Sequence, residues 1–321
     1  MRNSTASSGD DWTIIKLLEW TTSYFASRAI ESPRAGAEIL LAHVLNLQRV
    51  DLYLRYDQPL MKTELERFKA LIRRRVRREP VAYITGCREF WSMNLTVSGD
   101  VLIPRPETEC LVEQVLAELS TEDTAEPSHI LELGTGSGAI ILALASSLRR
   151  SVCVASDLSE RSLQVARENA RRHGLDGRIH FFCGDWTRPL RVRSLFDVIV
   201  SNPPYIPTGQ IKTLEPEIHL YEPLRALDGG DDGLASVRQL ILQAHRFLRP
   251  GGHLLLEIGY DQQEAIRQIA AAAGQYEDPL FTKDYAGYDR VVKMRKKASD
   301  PCKIRGHSGT LATVLSGRKA L

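Results

Sequence analysis

Leu131-Glu132-Leu133-Gly134-Thr135-Gly136-Ser137-Gly138 runs from an apolar strand through a glycine-rich turn into a helix. Residues without a Cβ let a ligand approach the backbone, and the N–H groups at a helix start favour polar or anionic groups. Gly134, Gly136 and Ala139 also satisfy the dinucleotide fingerprint, so the loop by itself leaves the choice of ligand open. Outward from it, strand and helix patterns alternate. Strand Ile130–Leu133 is followed by a helix from Gly138 to Leu148, strand Val152–Ser156, a helix from Ser159 to His173 and strand Ile179–Cys183. Strand Phe196–Ser201, a helix from Ala235 to Leu248, strand Gly252–Ile258 and a helix from Gln262 to Ala273 come next. Leu280–Lys283 and Arg290–Lys293 close the series around a turn at Gly287. This succession predicts an α/β fold with a doubly wound, mostly parallel sheet.

Upstream, apolar residues recur at helical spacing, as in Ile14, Ile15, Leu17, Leu18 and in Ala37, Leu40, Leu41, Val44, Leu45, which predicts a small helical domain over residues 11–79. Ser32-Pro33 marks one helix start, and Thr63 with Glu66 resembles a capping box at another. Arg73, Arg74, Arg75, Arg77 and Arg78 crowd the last helix end, where a solvated terminus beside the dipole's negative end and a partner-binding patch are equally good readings. Pro80 ends that helix. Residues 80–101, with Phe90, Trp91, Leu95 and Val97 around turn signals, read as a β-hairpin linker. The α/β domain then spans 102–294. It opens on a stiff segment in which Arg105, held between Pro104 and Pro106, is placed to line a site, and a helix begins near Thr108. The Ser-rich residues 1–10 and the basic stretch 295–321 read as disordered ends.

Composition narrows the function. With 321 residues, 42 basic and 40 acidic, the net charge of +2 argues against a body built to bind nucleic acid. Five cysteines without a C-x-x-C pair disfavour a disulfide framework and a zinc site, and fit a reducing cytoplasm. The eight histidines show no metal-ligand spacing, and no apolar run approaches the ~20 residues of a membrane span.

Three further strand ends specify the chemistry. Asp157, ending the second strand, is suited to a ribose diol; Gly184-Asp185-Trp186, after the third, offers an adenine an acceptor and a stacking ring. Asn202-Pro203-Pro204-Tyr205 follows the fourth. Its two prolines stiffen the turn, the Asn202 oxygen and the Pro203 carbonyl can grip an NH2 group, and Tyr205 offers a flat face to a planar nitrogen. Taken singly, each acid reads as a helix cap and the double proline as a strand-ending turn. Their ordered succession favours S-adenosylmethionine as cofactor.

The chain resembles the class I methyltransferases, and more narrowly the glutamine N5-methyltransferases of peptide chain release factors. The resemblance covers nearly everything from the helical domain to Met294. It rests on Pro80 to Gly86, Leu102 to Glu109, Leu131 to Ile140, Val200 to Ile206, Glu222 to Leu227 with Gly229, Gly230, Asp232 and Gly233, and Leu254 to Gly259. It implies that Gly134, Thr135, Gly136, Ser137, Gly138, Asp157, Asp185, Trp186 and Asn202 bind S-adenosylmethionine. It further implies that Asn202, Pro203, Pro204 and Tyr205 hold the glutamine amide of the Gly-Gly-Gln motif in class 1 release factors. Phe90 and Arg105 read as further lining, and the N-terminal helices as the docking element. No metal, membrane or nucleic-acid substrate is expected. The rival readings are a glutamine methyltransferase of a ribosomal protein, an exocyclic-amine methyltransferase of nucleic acid, and a binding module without turnover.

Overall fold

The computed structural model describes residues 12–120 and 126–298, which divide into two compact units. One comprises the chain up to Gly86 together with Glu215–Tyr221; the other comprises Cys87–Leu214 and the chain from Glu222 onward.

The first unit is helical, with α1 (Ile14–Ser27), α2 (Pro33–Leu45), α3 (Arg49–Leu54), α4 (Lys62–Val76) and α5 (Val81–Thr85). On α1 the buried residues Ile14, Leu17, Leu18, Thr21 and Phe25 fall on one face, and the four apolar ones join Leu40, Leu41 and Phe68 in the core. Ser32 and Pro33 begin α2 as expected, although the Ser32 side chain makes no capping bond. The expected box of Thr63 and Glu66 is displaced: α4 starts at Lys62, and Glu64 accepts from Met61 N at 2.7 Å. The domain boundary also moves. After Pro80 the chain makes the short helix α5, ended by Gly86 at φ +72°, so the first unit reaches Gly86 rather than residue 79. Three of the clustered arginines are occupied within this unit. Arg74 donates to Glu79, while buried Arg75 and its neighbour Arg78 both reach Glu217 Oε1, at 2.8 and 3.2 Å.

The second unit begins with a hairpin, β1 (Cys87–Phe90) paired to β2 (Met93–Thr96). The sheet follows with β3 (His129–Leu133), β4 (Val152–Asp157), β5 (Ile179–Cys183), β6 (Phe196–Ser201), β7 (Leu248–Glu257), β8 (Leu280–Lys283) and β9 (Asp289–Arg295). The spatial order is β5-β4-β3-β6-β7-β9-β8, parallel from β5 to β7, with β9 antiparallel to both of its neighbours. Alternate residues of β3 serve opposite faces: Ile130 lies in one apolar cluster with α6 (Glu109–Ser120) and α7 (Ala139–Ser147), and Leu131 and Leu133 lie in another with helix Ala235–Ala244. Covering both faces is what makes these strands read as near-continuous apolar runs. α8 (Glu160–Arg172) follows β4. Strand β7 starts at Leu248, four residues before the expected Gly252, because Gly251 at φ +80° carries the chain through a register shift against β6. β9 runs to Arg295 and Lys296 bridges to Tyr276, so ordered pairing passes the expected end at Met294. Residues 1–10 and the chain after 298 lie outside the described residues.

The chain reverses its winding between β3 and β6, which are hydrogen-bonded neighbours. A crevice therefore opens beyond their carboxyl ends, where open α/β sheets bind ligands.

Candidate active site

The glycine loop after β3 and the Asn-Pro-Pro-Tyr turn after β6 lie side by side at this crevice, tied by Ser201 Oγ donating to the Leu133 carbonyl at 2.6 Å. Gly134 N and Thr135 N both donate to the Ser156 carbonyl of β4, at 2.9 and 2.8 Å, and Gly136 N donates to Asp157 Oδ2 at 2.9 Å. The loop is thus fixed to β4, not floating above it. Gly134, Gly136 and Gly138 all have positive φ, which other residues adopt only at a cost. Beneath the loop Glu132, fully buried, accepts from Thr135 Oγ1 at 2.6 Å and from Ile141 N at 3.1 Å, both at Oε2. Burial pushes its carboxyl up to about 8, against the downward pull of those two bonds. Asn169 braces the loop from α8, donating to the Ser137 carbonyl at 2.9 Å while its oxygen accepts from Thr96 N at 2.7 Å.

One cleft gathers most of the residues singled out from the sequence. Gly134, Thr135, Gly136, Ser137, Asp157, Asp185, Trp186, Asn202, Pro204 and Arg105 all line it. Gly138, Pro203 and Tyr205 do not. Gly138 is packed beneath, where an added Cβ would come 2.8 Å from Leu142. Phe90 is corrected as a lining residue: it is 1% exposed, in the apolar cluster beneath the hairpin, because it is the inward-facing position of β1.

The lining fits a nucleoside-bearing ligand. A Cβ added at Gly136 would meet nothing within 4 Å, so the cleft is open directly over the loop. The Asp157 oxygens accept from Gly136 N and from Ser159 N at 2.8 Å, which holds the carboxylate still and leaves lone pairs for hydroxyl donors. The Trp186 ring approaches Gly134 so closely that a Cβ there would lie 3.4 Å from it.

At the turn, Asn202 Nδ2 donates to Thr108 Oγ1 at 3.2 Å and Thr108 Oγ1 donates to Glu257 Oε2 at 2.7 Å. The Tyr205 hydroxyl donates to the other oxygen, Glu257 Oε1, at 3.2 Å. Glu257 is 1% exposed; burial pushes its carboxyl up, opposed by the Thr108 bond and by the charge of Arg290. Burial, with the negative charge of Glu257, likewise raises the Tyr205 hydroxyl. Gln262 Nε2 donates to the carbonyls of Tyr205 and Gly233, each at 3.1 Å, and Gly233 is packed so tightly that a Cβ would sit 2.5 Å from the Tyr205 oxygen. Among the described residues neither Asn202 Oδ1 nor the Pro203 carbonyl accepts a hydrogen bond. Arg105 is engaged by Glu222 Oε1 at 2.5 Å, and Glu222 Oε2 also accepts from Ile103 N at 3.2 Å. Burial raises the Glu222 carboxyl and the guanidinium counters it.

Thr108, Glu132, Asn169, Glu222, Glu257 and Gln262 were not singled out as site residues from the sequence. The acids carried a visible signal, since Glu132 and Glu257 interrupt apolar runs, the one inside β3 and the other at the end of β7, and an ionisable group buried there needs partners.

A doubly wound sheet with a glycine loop after β3, an acid ending β4 and an Asn-Pro-Pro-Tyr turn after β6 defines a methyltransferase domain, which uses a methyl donor of the S-adenosylmethionine type. Residues 126–301 match the methyltransferase domain family and residues 16–86 the PrmC N-terminal domain family. The release factor glutamine methyltransferase of Geobacter sulfurreducens is 41% identical over 281 residues, covering 88% of this chain and 96% of that protein. Its counterpart from Moorella thermoacetica is 44% identical over 265 residues, covering 83% and 92%. The chain therefore belongs to the release factor glutamine methyltransferase family. Among solved structures, the catalytic domain of hMettl16 aligns with a TM-score of 0.53 at 16% identity, over 70% of this chain and 82% of that one, a likeness of fold alone. Among the described residues no helix is long and apolar enough to cross a membrane, and no group of three His, Cys, Asp or Glu is placed to hold a metal.

Proposed function

We propose that the cleft binds S-adenosylmethionine on Gly134–Gly138, Asp157, Asp185 and Trp186, and that the turn from Asn202 to Tyr205 receives the side-chain amide of a glutamine in class 1 peptide chain release factors. When bound, S-adenosylmethionine supplies a methyl group on a positively charged sulfur. The acceptor nitrogen is a weak nucleophile, its lone pair being shared with the amide carbonyl. Asn202 Oδ1 and the Pro203 carbonyl each accept one of its N–H groups, which orients the nitrogen and stabilises the positive charge it acquires as the sulfur keeps the bonding pair; one N–H proton then leaves to water, giving the neutral N-methyl amide. Both acceptors are neutral, and Pro204 keeps them in place by stiffening the turn. The helical domain, read as residues 11–79 in the sequence and reaching Gly86 in the fold, docks the release factor. The enzyme works in the cytoplasm, where Cys87, Cys110, Cys153 and Cys183 stay as free thiols.

The observation that carries this reading is the pair of adjacent acceptors, Asn202 Oδ1 and the Pro203 carbonyl, without hydrogen-bond partners among the described residues and with Asn202 on the wall of the cleft that holds the glycine loop. Labelled S-adenosylmethionine offered separately with a release factor, a ribosomal protein and RNA tests it. Label on a release-factor glutamine is the expected result; label on the ribosomal protein or the RNA alone would overturn it.

A further inference from the structure

A glutamine amide has two N–H donors, so the Asn202 amide must offer it oxygen and not nitrogen, yet the two ends of an asparagine amide are nearly the same size. Something has to decide between them. We propose that Thr108 and Glu257 are positioning residues that fix which end of the Asn202 amide faces the acceptor nitrogen. The inference rests on the role proposed above for the turn.

A threonine hydroxyl has one proton and two lone pairs. Thr108 gives its proton to Glu257 Oε2 at 2.7 Å, which leaves lone pairs to accept from Asn202 Nδ2 at 3.2 Å. Direction is imposed from the buried end, because both Glu257 oxygens are already taken as acceptors, Oε2 by the Thr108 hydroxyl and Oε1 by the Tyr205 hydroxyl. The bonds run from Asn202 through Thr108 to Glu257, and Oδ1 is the end left over for the cleft. Were Thr108 to lose its acceptor, its proton would be free to go to Asn202 Oδ1; the amide would turn over and set NH2 against NH2. Glu257 acts on the turn a second time, since Oε1 accepts from the Tyr205 hydroxyl at 3.2 Å, so one carboxylate anchors both ends of the four-residue motif. The placement follows from the sheet. Ser201, which ends β6 just before the turn, pairs with Leu256 of β7, and Glu257 is the next residue. Thr108 is 4% and Glu257 1% exposed, so water competes little for these bonds.

Steady-state methylation of a release factor by Thr108→Val, Thr108→Ser, Glu257→Leu and Glu257→Gln reads this out. Thr108→Val keeps the shape without the hydroxyl, and kcat is expected to fall by about tenfold or more with KM for the release factor and S-adenosylmethionine affinity little changed. Thr108→Ser should recover most of that loss. Glu257→Gln, which still presents an oxygen to Thr108 and an NH2 to Tyr205, should stay much faster than Glu257→Leu. A second readout needs no acceptor and survives if a Glu257 variant folds poorly. In isotopically labelled protein the Asn202 side-chain NH2 protons should lie close to the Thr108 side chain and exchange slowly, and lose that protection in Thr108→Val but not in Thr108→Ser. A Thr108→Val enzyme within about twofold of the parent kcat, or a serine variant as slow as the valine one, would overturn the proposal. If the parent protein fails to methylate a release factor, the function proposed for the turn falls, and the NH2 signals still decide whether Thr108 sets the amide.

Discussion

Replacing Asp157 by alanine removes the acceptor that holds Gly136 N at 2.9 Å and Ser159 N at 2.8 Å, and with it the lone pairs that face the cleft. Hydrogen bonds from a ligand hydroxyl to a charged acceptor contribute about 1.5–3 kcal/mol, so the dissociation constant for S-adenosylmethionine should rise by about tenfold to about 150-fold. Asp157→Asn is the finer perturbation. Each carboxylate oxygen now takes a different backbone N–H, and an amide can replace only one of them; its NH2 would face the other donor. The asparagine variant should therefore weaken binding less than alanine but clearly more than the parent. Isothermal titration calorimetry measures both, with circular dichroism and a thermal melt to establish that the sheet is intact. S-adenosylhomocysteine, which shares the ribose and lacks the sulfonium charge, should lose the same factor. An alanine variant that binds S-adenosylmethionine within about twofold of the parent would refute the ribose assignment. A loss confined to S-adenosylmethionine would show that Asp157 acts on charge instead.

Gly138→Ala should be destabilised by about 2–4 kcal/mol in chemical denaturation, since its φ of +85° is costly for other residues and the new Cβ would lie 2.8 Å from Leu142 and 3.3 Å from Ala166. An unchanged midpoint would show that the loop relaxes freely. Glu132→Gln tests the buried acid by its pH dependence. Because the folded carboxyl titrates near 8 and its ordinary value is 4.5, the folded state holds the proton more tightly than the unfolded chain. Parent stability should fall as pH rises through that window and level off above it. The glutamine variant can give its single oxygen to both Thr135 Oγ1 and Ile141 N, which already share Oε2, and has no proton to lose. Its stability relative to the parent should thus climb across the same window, as urea titrations at several pH values would show; parallel curves would mean that Glu132 is not held protonated.

Most of the fold was legible because each element carries its own period: the buried face of α1 repeats at helical spacing, and β3 to β6 are apolar runs bounded by turns. The errors lie where a local pattern competes with packing. Val81-Ala82-Tyr83-Ile84-Thr85 has strand-like composition, yet it forms a helical turn stopped by Gly86. Pro250-Gly251-Gly252 reads as a turn before a strand and is instead an irregularity inside β7. The cleft was foreseeable, since the glycine loop, Asp157, Trp186 and Asn202 each sit at a strand end and strand ends converge at the winding reversal. The network behind Asn202 was not. Thr108 and Glu257 are 149 residues apart, and nothing local to either says that they meet. Phe90 illustrates the converse, an aromatic residue near the site in sequence whose position on β1 turns it into the core.

The grip of the Asn202 oxygen on the acceptor amide shows in the rate of methyl transfer to a release factor by Asn202→Ala at saturating S-adenosylmethionine and release factor. Alanine removes the acceptor and leaves Pro203, the glycine loop and the network of Thr108 and Glu257 in place. kcat should fall by ~10²–10³, the loss found when one preorganised charge-stabilising group is removed, with S-adenosylmethionine affinity nearly unchanged. A variant that retains more than about a tenth of the parent kcat, a change of less than ~1.4 kcal/mol in the barrier, would contradict it and leave Asn202 as a residue that merely ends a strand.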